Sequence, residues 1–373
     1  MESLRVAERA GILRGALAFE NRQDIIPAER IRTLERHPVR LLSWVVGREF
    51  YYGAKKHVLD AQAARELARG GYDLFHGWSG ESVRTLREAK RLGIPSVIEI
   101  PTWHRHKGKI KPLRLTQSER VRAEAGGLAG LRNRLLVSRQ QMLEEYELAD
   151  QILVLSEKAE ETFLAAGIAK EKLFRHHRGV DVNRFTPAQK PPEIFRAVFV
   201  GALIERKGVH HLLRAWKKLN LPKAELVLVG SAHAEIQPWL REFGGPSVRL
   251  AGFVPKVEEC YRAASVHVFP SSCEGSAKAT YEAAACGLPQ ITTRESGDVV
   301  QDGVNGLVIP AENPDAIAAA LEQLYNDPDL RARLGAAGRE RMVTQFTWDH
   351  FGTRLLEAYR ATMALKARGG ALA

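Results

Sequence analysis

A chain of 373 residues with 45% hydrophobic and 27% charged residues has the composition of a soluble globular protein and length for two domains. The net charge of +11 is lopsided: residues 1–190 hold 34 basic against 24 acidic side chains, and residues 191–373 hold 21 against 20. No apolar run approaches the roughly 18 residues of a membrane span, and the opening MESLRVAERAG lacks a signal-peptide core, which predicts a cytoplasmic protein.

Residues 1–70 are helix-prone in pattern, with no convincing strand followed by a glycine-rich turn. Within them, VRLLSWVVGREFYYGAKKHV (39–58) mixes Trp44, Phe50, Tyr51 and Tyr52 with Arg40, Arg48, Lys55 and Lys56. The favoured reading is a core helix of the first domain; the other is a helix lying on an anionic membrane. Strand-like runs at 72–76, 95–100 and 151–155 follow, with helix-like stretches at 81–92 and 156–167. Pro187, Pro191 and Pro192 mark a linker at 186–195, which divides an N-terminal domain (1–188) from a second domain (189–347) and a final helix (348–373).

The second half alternates more clearly. Strand-like runs at 196–201, 225–230, 248–252 and 264–269 are separated by helix-like segments at 208–219, 234–243 and 256–263. That order predicts a parallel, doubly wound sheet, so the fold class is α/β. Three strands end in glycine, at Gly201, Gly230 and Gly252, where backbone can approach a ligand at a carboxyl edge. The run ending at Phe269 leads into PSSCEGSAKATYEAAACGLP (270–289), which places Glu274 in a strand-to-helix turn and Glu282 two turns down the helix. Helix-start amides attract an anion, and carboxylates beside them suit hydroxyl groups; a ligand with both is a sugar nucleotide.

No GxGxxG, P-loop, GxSxG or HExxH occurs, which removes the usual dehydrogenase, kinase, hydrolase and zinc-protease readings. The three cysteines form no CxxC pair, so neither a disulfide framework nor a metal site is expected. Asp327-Pro328-Asp329 matches a DxD on paper but sits at a helix start, where acids cap.

Seven segments line up in one order: ADQILVLS (149–156), RGVDVNRFTP (178–187), FVGALIERKG (199–208), LVLVGS (226–231), LAGFVP (250–255), the 270–289 segment and DGVNGLVIP (302–310). Over residues 72–350 the chain resembles the retaining, nucleotide-sugar-dependent glycosyltransferases of family 4. That resemblance implies the GT-B fold: two Rossmann-like domains facing across a cleft, with the last helix crossing back to the first. It also implies residue roles. Glu282 would bind the donor ribose and Glu274 the transferred sugar. The backbone of Gly275, Ser276, Ala277 and Lys278 would cradle sugar and diphosphate. Lys207, beside Arg206, would neutralise the leaving diphosphate. Gly201 and Gly252 would lie beside phosphate and base, with Phe253 and Val254 near the nucleobase. His76 would be a cleft histidine of the first domain, and Trp78 and the segment from Trp103 to Lys109 would face the acceptor. His104 and His106 stand among bases that suit an anionic or lipid-linked acceptor, and His176 and His177 would border the cleft near Gly179. No cofactor, metal or nucleic acid is expected; the basic first half leaves peripheral contact with the inner membrane face open.

The chain departs from that pattern in three places. Gly201 is followed by Ala202 where the family usually has arginine, and Lys278, or Arg206, is expected to supply the lost charge. The turn after Glu274 reads Gly-Ser-Ala-Lys, where another glycine and an apolar residue are common. The opening strand and glycine-rich loop are not visible. A catalytically impaired or partner-dependent sugar-nucleotide-binding module, and other GT-B chemistry such as epimerisation or phosphorolysis, are therefore the alternatives.

Overall fold

The structure, a computed structural model, describes residues 2–21, 23–104, 127 and 134–370. It begins with helix α1 (Glu2–Arg9), short strands β1 (Ala16–Ala18) and β2 (Ile31–Thr33), and helix α2 (Arg48–Leu67). β1 and β2 pair in parallel as a sheet of their own, two strands that the helix-prone pattern of residues 1–70 does not announce, and neither leads into a glycine-rich turn. Three residues are too few to show a period of two, so the sequence concealed them.

A four-stranded parallel sheet follows in the spatial order β3 (Phe75–Trp78), β4 (Ser96–Glu99), β5 (Gln151–Val154), β6 (Leu173–Arg175). Pairing starts at Phe75, opposite Ser96, three residues later than the run at 72–76 predicts. Among the described residues β3 has a hydrogen-bonded neighbour on one side only, in keeping with the opening strand that the sequence does not show. Every residue of β4 and β5 is buried, as expected of a parallel sheet covered on both faces. Helices α3 (Val83–Leu92), α4 (Arg139–Leu148) and α5 (Glu157–Leu164) supply part of that cover, with Leu86, Tyr146 and Phe163 packing on Ile98 and Ile152.

The second sheet is built from β7 (Phe195–Val200), β8 (Ala224–Val229), β9 (Val248–Gly252), β10 (Val266–Phe269), β11 (Gln290–Thr292) and β12 (Leu307–Val308). Its spatial order is β12-β11-β10-β7-β8-β9, all parallel. The order reverses between β7 and β10, so their carboxyl ends open side by side into a crevice. Helices α6 (Val209–Leu219), α7 (Gln237–Phe243), α8 (Val257–Arg262), α9 (Lys278–Ala285) and α10 (Pro314–Asn326) wind on both faces. Neighbouring strand residues feed opposite cores: Phe199, Leu228 and Val268 join Leu212 and Leu213, whereas Val198 and Val227 join Tyr281 and Leu288.

The chain ends in α11 (Pro328–Gln345) and α12 (Trp348–Gly370). Asp327 caps α11, its Oδ1 accepting from Leu330 N at 2.8 Å, so the Asp-Pro-Asp triplet does the work its helix-start position predicts. α12 returns to the first sheet, where Phe351, Leu355 and Tyr359 pack with Val6, Val97 and Leu153. Thr362 Oγ1 donates to Gln151 Oε1 at 2.6 Å, and Lys366 pairs with Asp150 at 2.9 Å.

Candidate active site

The crevice between β7 and β10 is walled by two loops pinned to each other. After β7, Glu205–Lys207 form one 3₁₀ turn. The Arg206 carbonyl accepts from Ser272 N and from the Ser271 and Ser272 hydroxyls of the loop after β10. Gly208 sits at φ +72°, and a Cβ there would lie 2.1 Å from Pro270 O, so the contact requires glycine. This pinning carries Arg206 Nη1 and Lys207 Nζ to the same oxygen, Glu274 Oε1, at 2.9 and 3.2 Å. Lys207 also lies over the Phe269 ring and beside Gly201, where a Cβ would be 3.3 Å from its amine. Gly230 has another reason to be glycine: its Cβ would sit 1.9 Å from Gly201 O, a strand-to-strand requirement rather than a ligand one. A Cβ added at Gly252 would meet nothing within 4 Å, and Phe253 after it is 80% exposed. Val254 packs partly into the core beneath.

Glu282 lies in the second turn of α9 and is 5% exposed. Its Oε2 accepts from Tyr261 OH at 3.1 Å, and its Oε1 pairs with Lys278 Nζ at 2.9 Å. Lys278 is thus held on Glu282. Ser276 Oγ meets Tyr281 OH at 2.9 Å, and burial pushes that phenol up to about 12. Glu274 N and Ala277 N donate to Glu295 O and Ser296 O. Among the described residues the amides of Gly275, Ser276 and Lys278, at the start of α9, have no backbone acceptor.

The first sheet closes on this loop. A Cβ on Gly275 would lie 2.2 Å from Pro101 O, Thr102 Oγ1 is 3.9 Å from Cys273 Sγ, and Arg178 Nε donates to Ser276 O at 3.1 Å. Asp298 ties the same junction, pairing with His177 Nε2 at 3.2 Å and accepting from Glu157 N at 2.9 Å. Burial opposes its ionisation, but these donors outweigh burial and hold its carboxyl below the usual range. His76, on β3, meets Tyr359 OH through Nδ1 at 2.7 Å, and its Nε2 faces Glu99 Oε2 at 3.8 Å. Burial lowers His76 to about 4, so the ring is neutral near pH 7. Burial raises Glu99, with Arg178 pulling the other way.

Three expectations fail. His176 is fully buried against Phe351, with ring centroids 4.4 Å apart, and burial takes it down to about 3; it does not line the cleft. His104 is buried between Tyr146 and Phe163, at 5.1 and 5.0 Å, so its ring faces the first core and not an acceptor. Trp103 packs partly against the same core, while residues 105–109, His106 included, lie outside the described residues. Trp78 is 39% exposed at the end of β3. The sequence reading gave no role to Pro101, Glu99, Arg178, Asp298 or Tyr359. Only Arg178 had a signal, as the first residue of RGVDVNRFTP.

Comparison with known proteins agrees with this geometry. Residues 194–327 match the family model described as Glycosyl transferases group 1. A D-inositol 3-phosphate glycosyltransferase of Thermobifida fusca is 27% identical, over 95% of this chain and 86% of its own length. An alpha-maltose-1-phosphate synthase of Mycolicibacterium smegmatis is 32% identical over 50% of each. Among solved structures, sucrose-phosphate synthase from Thermosynechococcus elongatus superposes with a TM-score of 0.70 at 20% identity, covering 97% and 92% of the two chains. HepE of Anabaena, solved in complex with UDP, gives 0.66 at 16% identity, covering 93% and 100%. Residues 194–327 therefore form a Glycosyl transferases group 1 domain, and the chain has a GT-B fold.

Proposed function

We propose that this protein transfers a sugar from a nucleoside-diphosphate donor to an acceptor hydroxyl with retention of configuration. The observation that carries the reading is the convergence of Arg206 and Lys207 on Glu274, beside the start of α9 and one helix face from Glu282. Departure of a nucleoside diphosphate builds charge on the bridging oxygen, which Lys207, Arg206 and the Gly275, Ser276 and Lys278 amides stabilise. Glu274 holds the sugar hydroxyls and Glu282 the ribose, while exposed Phe253 offers a face for the base. The acceptor hydroxyl attacks the face that the diphosphate leaves, and the departing phosphate oxygen takes its proton. No protein nucleophile and no metal is part of the proposal.

HepE was solved with UDP and with UDP-glucose, which favours a uridine nucleotide as the first donor to try. The test is a thermal-shift screen against UDP-, GDP- and ADP-sugars, followed by the anomeric configuration of the product by NMR. Stabilisation by one nucleotide class and a retained anomer support the reading. No shift with any donor, or an inverted product, refutes it. Donor binding without turnover across acceptor pools would select the binding-module alternative.

A further inference from the structure

Between β2 and α2, Pro38–Trp44 form a 3₁₀ helix, with His37 Nδ1 accepting from Val39 N at its start. Three residues make one such turn, so Pro38, Leu41 and Trp44 stack in one column. All three are exposed, Leu41 by 70% and Trp44 by 90%, and Val45 beside them by 80%. Val39 alone of the segment is buried and anchors it. Side chains exposed to this degree project from the surface; they fill no groove among the described residues. The flanks are basic. Arg36, Arg40 and Arg48 are exposed, and Arg48 lies 5.6 Å over the Tyr52 ring. Lys55 covers Phe19, Tyr51 and Tyr52. Two acids are near: Glu35, whose Oε1 accepts from Asn21 N, and Glu49 in the first turn of α2.

We propose that this ridge docks the protein on an anionic membrane surface. Leu41, Trp44 and Val45 enter the boundary between headgroups and acyl chains, and Arg36, Arg40 and Arg48 pair with lipid phosphates. The charge decides between occupants. A second copy seated by two-fold symmetry would set these arginines against their own equivalents. A soluble protein would need a socket shaped to a projecting column, whereas a lipid boundary accepts any convex apolar group. The basic excess of residues 1–190 points the same way.

The test is flotation of the full chain with vesicles of phosphatidylcholine alone or with about one third phosphatidylglycerol. Binding is expected to the anionic vesicles only, with release as salt rises from about 0.1 to about 0.5 M. The variant Leu41→Ser/Trp44→Ser is expected to lose at least about tenfold in bound fraction. Arg40→Ser/Arg48→Ser, which leaves the apolar column intact, is expected to lose a comparable share. Both pairs are exposed, so melting curves and donor binding should match wild type, which keeps this result separate from the donor reading. Failure to float with anionic vesicles, or flotation of the serine pair equal to wild type, overturns the proposal. So does a concentration-dependent dimer that Trp44→Ser dissolves.

Discussion

Gly275 is where the two halves of the enzyme meet, and Gly275→Ala tests whether that contact sets the geometry of transfer. The added Cβ would stand 2.2 Å from Pro101 O, 2.7 Å from Pro101 C and 3.1 Å from Thr102 N. An ordinary carbon-to-oxygen contact is about 3.3 Å, so one side must retreat by about 1 Å. The atoms in the way are backbone, and β4, the strand leading to Pro101, is buried at every position. Yielding therefore falls to the 273–277 loop or to the junction as a whole. A displacement of about 1 Å at reacting groups costs on the order of a hundredfold in rate, or about 2.7 kcal/mol. If the junction as a whole yields, the proposed donor contacts move together and nucleotide affinity should stay within about threefold while kcat falls; if the 273–277 loop yields, affinity should fall with kcat. The assay is release of nucleoside diphosphate at saturating donor, paired with calorimetric donor binding. Gly245→Ala serves as control, since its Cβ meets nothing within 4 Å. A Gly275→Ala enzyme with kcat within about threefold of wild type would refute the argument.

Three further outcomes are expected. Lys278→Ala should weaken donor binding about tenfold if, as proposed, the amine now on Glu282 serves the diphosphate where position 202 holds alanine instead of arginine; unchanged affinity and rate would sink this. Tyr359→Phe should leave donor KM alone, lower kcat, and cost about 1–3 kcal/mol of stability by stripping His76 Nδ1 of its partner; a donor KM effect with kcat intact would contradict it. Acid stability should depend on His267, which is fully buried, bonded to Gln290 Oε1 at 3.0 Å, and lowered by burial from 6.5 to about 4. Above pH 6.5 neither state is charged; as pH falls from 6.5 to 4 only the unfolded chain takes the proton, so stability drops by about 3 kcal/mol. His267→Asn keeps a donor to Gln290 and should remove about 1.4 kcal/mol per pH unit from the slope of unfolding free energy in that window; an unchanged slope would assign the loss elsewhere.

What the sequence made legible follows from locality. β7 and β8 end in the apolar stretches 197–200 and 226–229 because both faces of the sheet are covered there, and covered strands need no alternation. β11 and β12, at three and two residues, carry too few side chains to form a pattern, and β1 and β2 share that fate. The proposed donor loop was readable for a related reason: Glu274, Lys278 and Glu282 share one turn and helix, so spacing alone places them together. The 39–58 stretch was ambiguous because a 3₁₀ column repeats every three residues while α2 repeats every 3.6, and reading both as one helix put Trp44 in a core. Contacts across the junction obey no such rule. Pro101 meets Gly275, Arg178 meets Ser276, and His76 meets Tyr359 across 283 residues of chain. No periodicity links such pairs; the first two arise where the two sheets dock, and the third where α12 returns to the first sheet. That is why the sequence brings Glu274, Lys278 and Glu282 together and leaves the junction to the structure. It is also why a single methyl group at Gly275 is the sharper probe of transfer than any carboxylate of the donor loop.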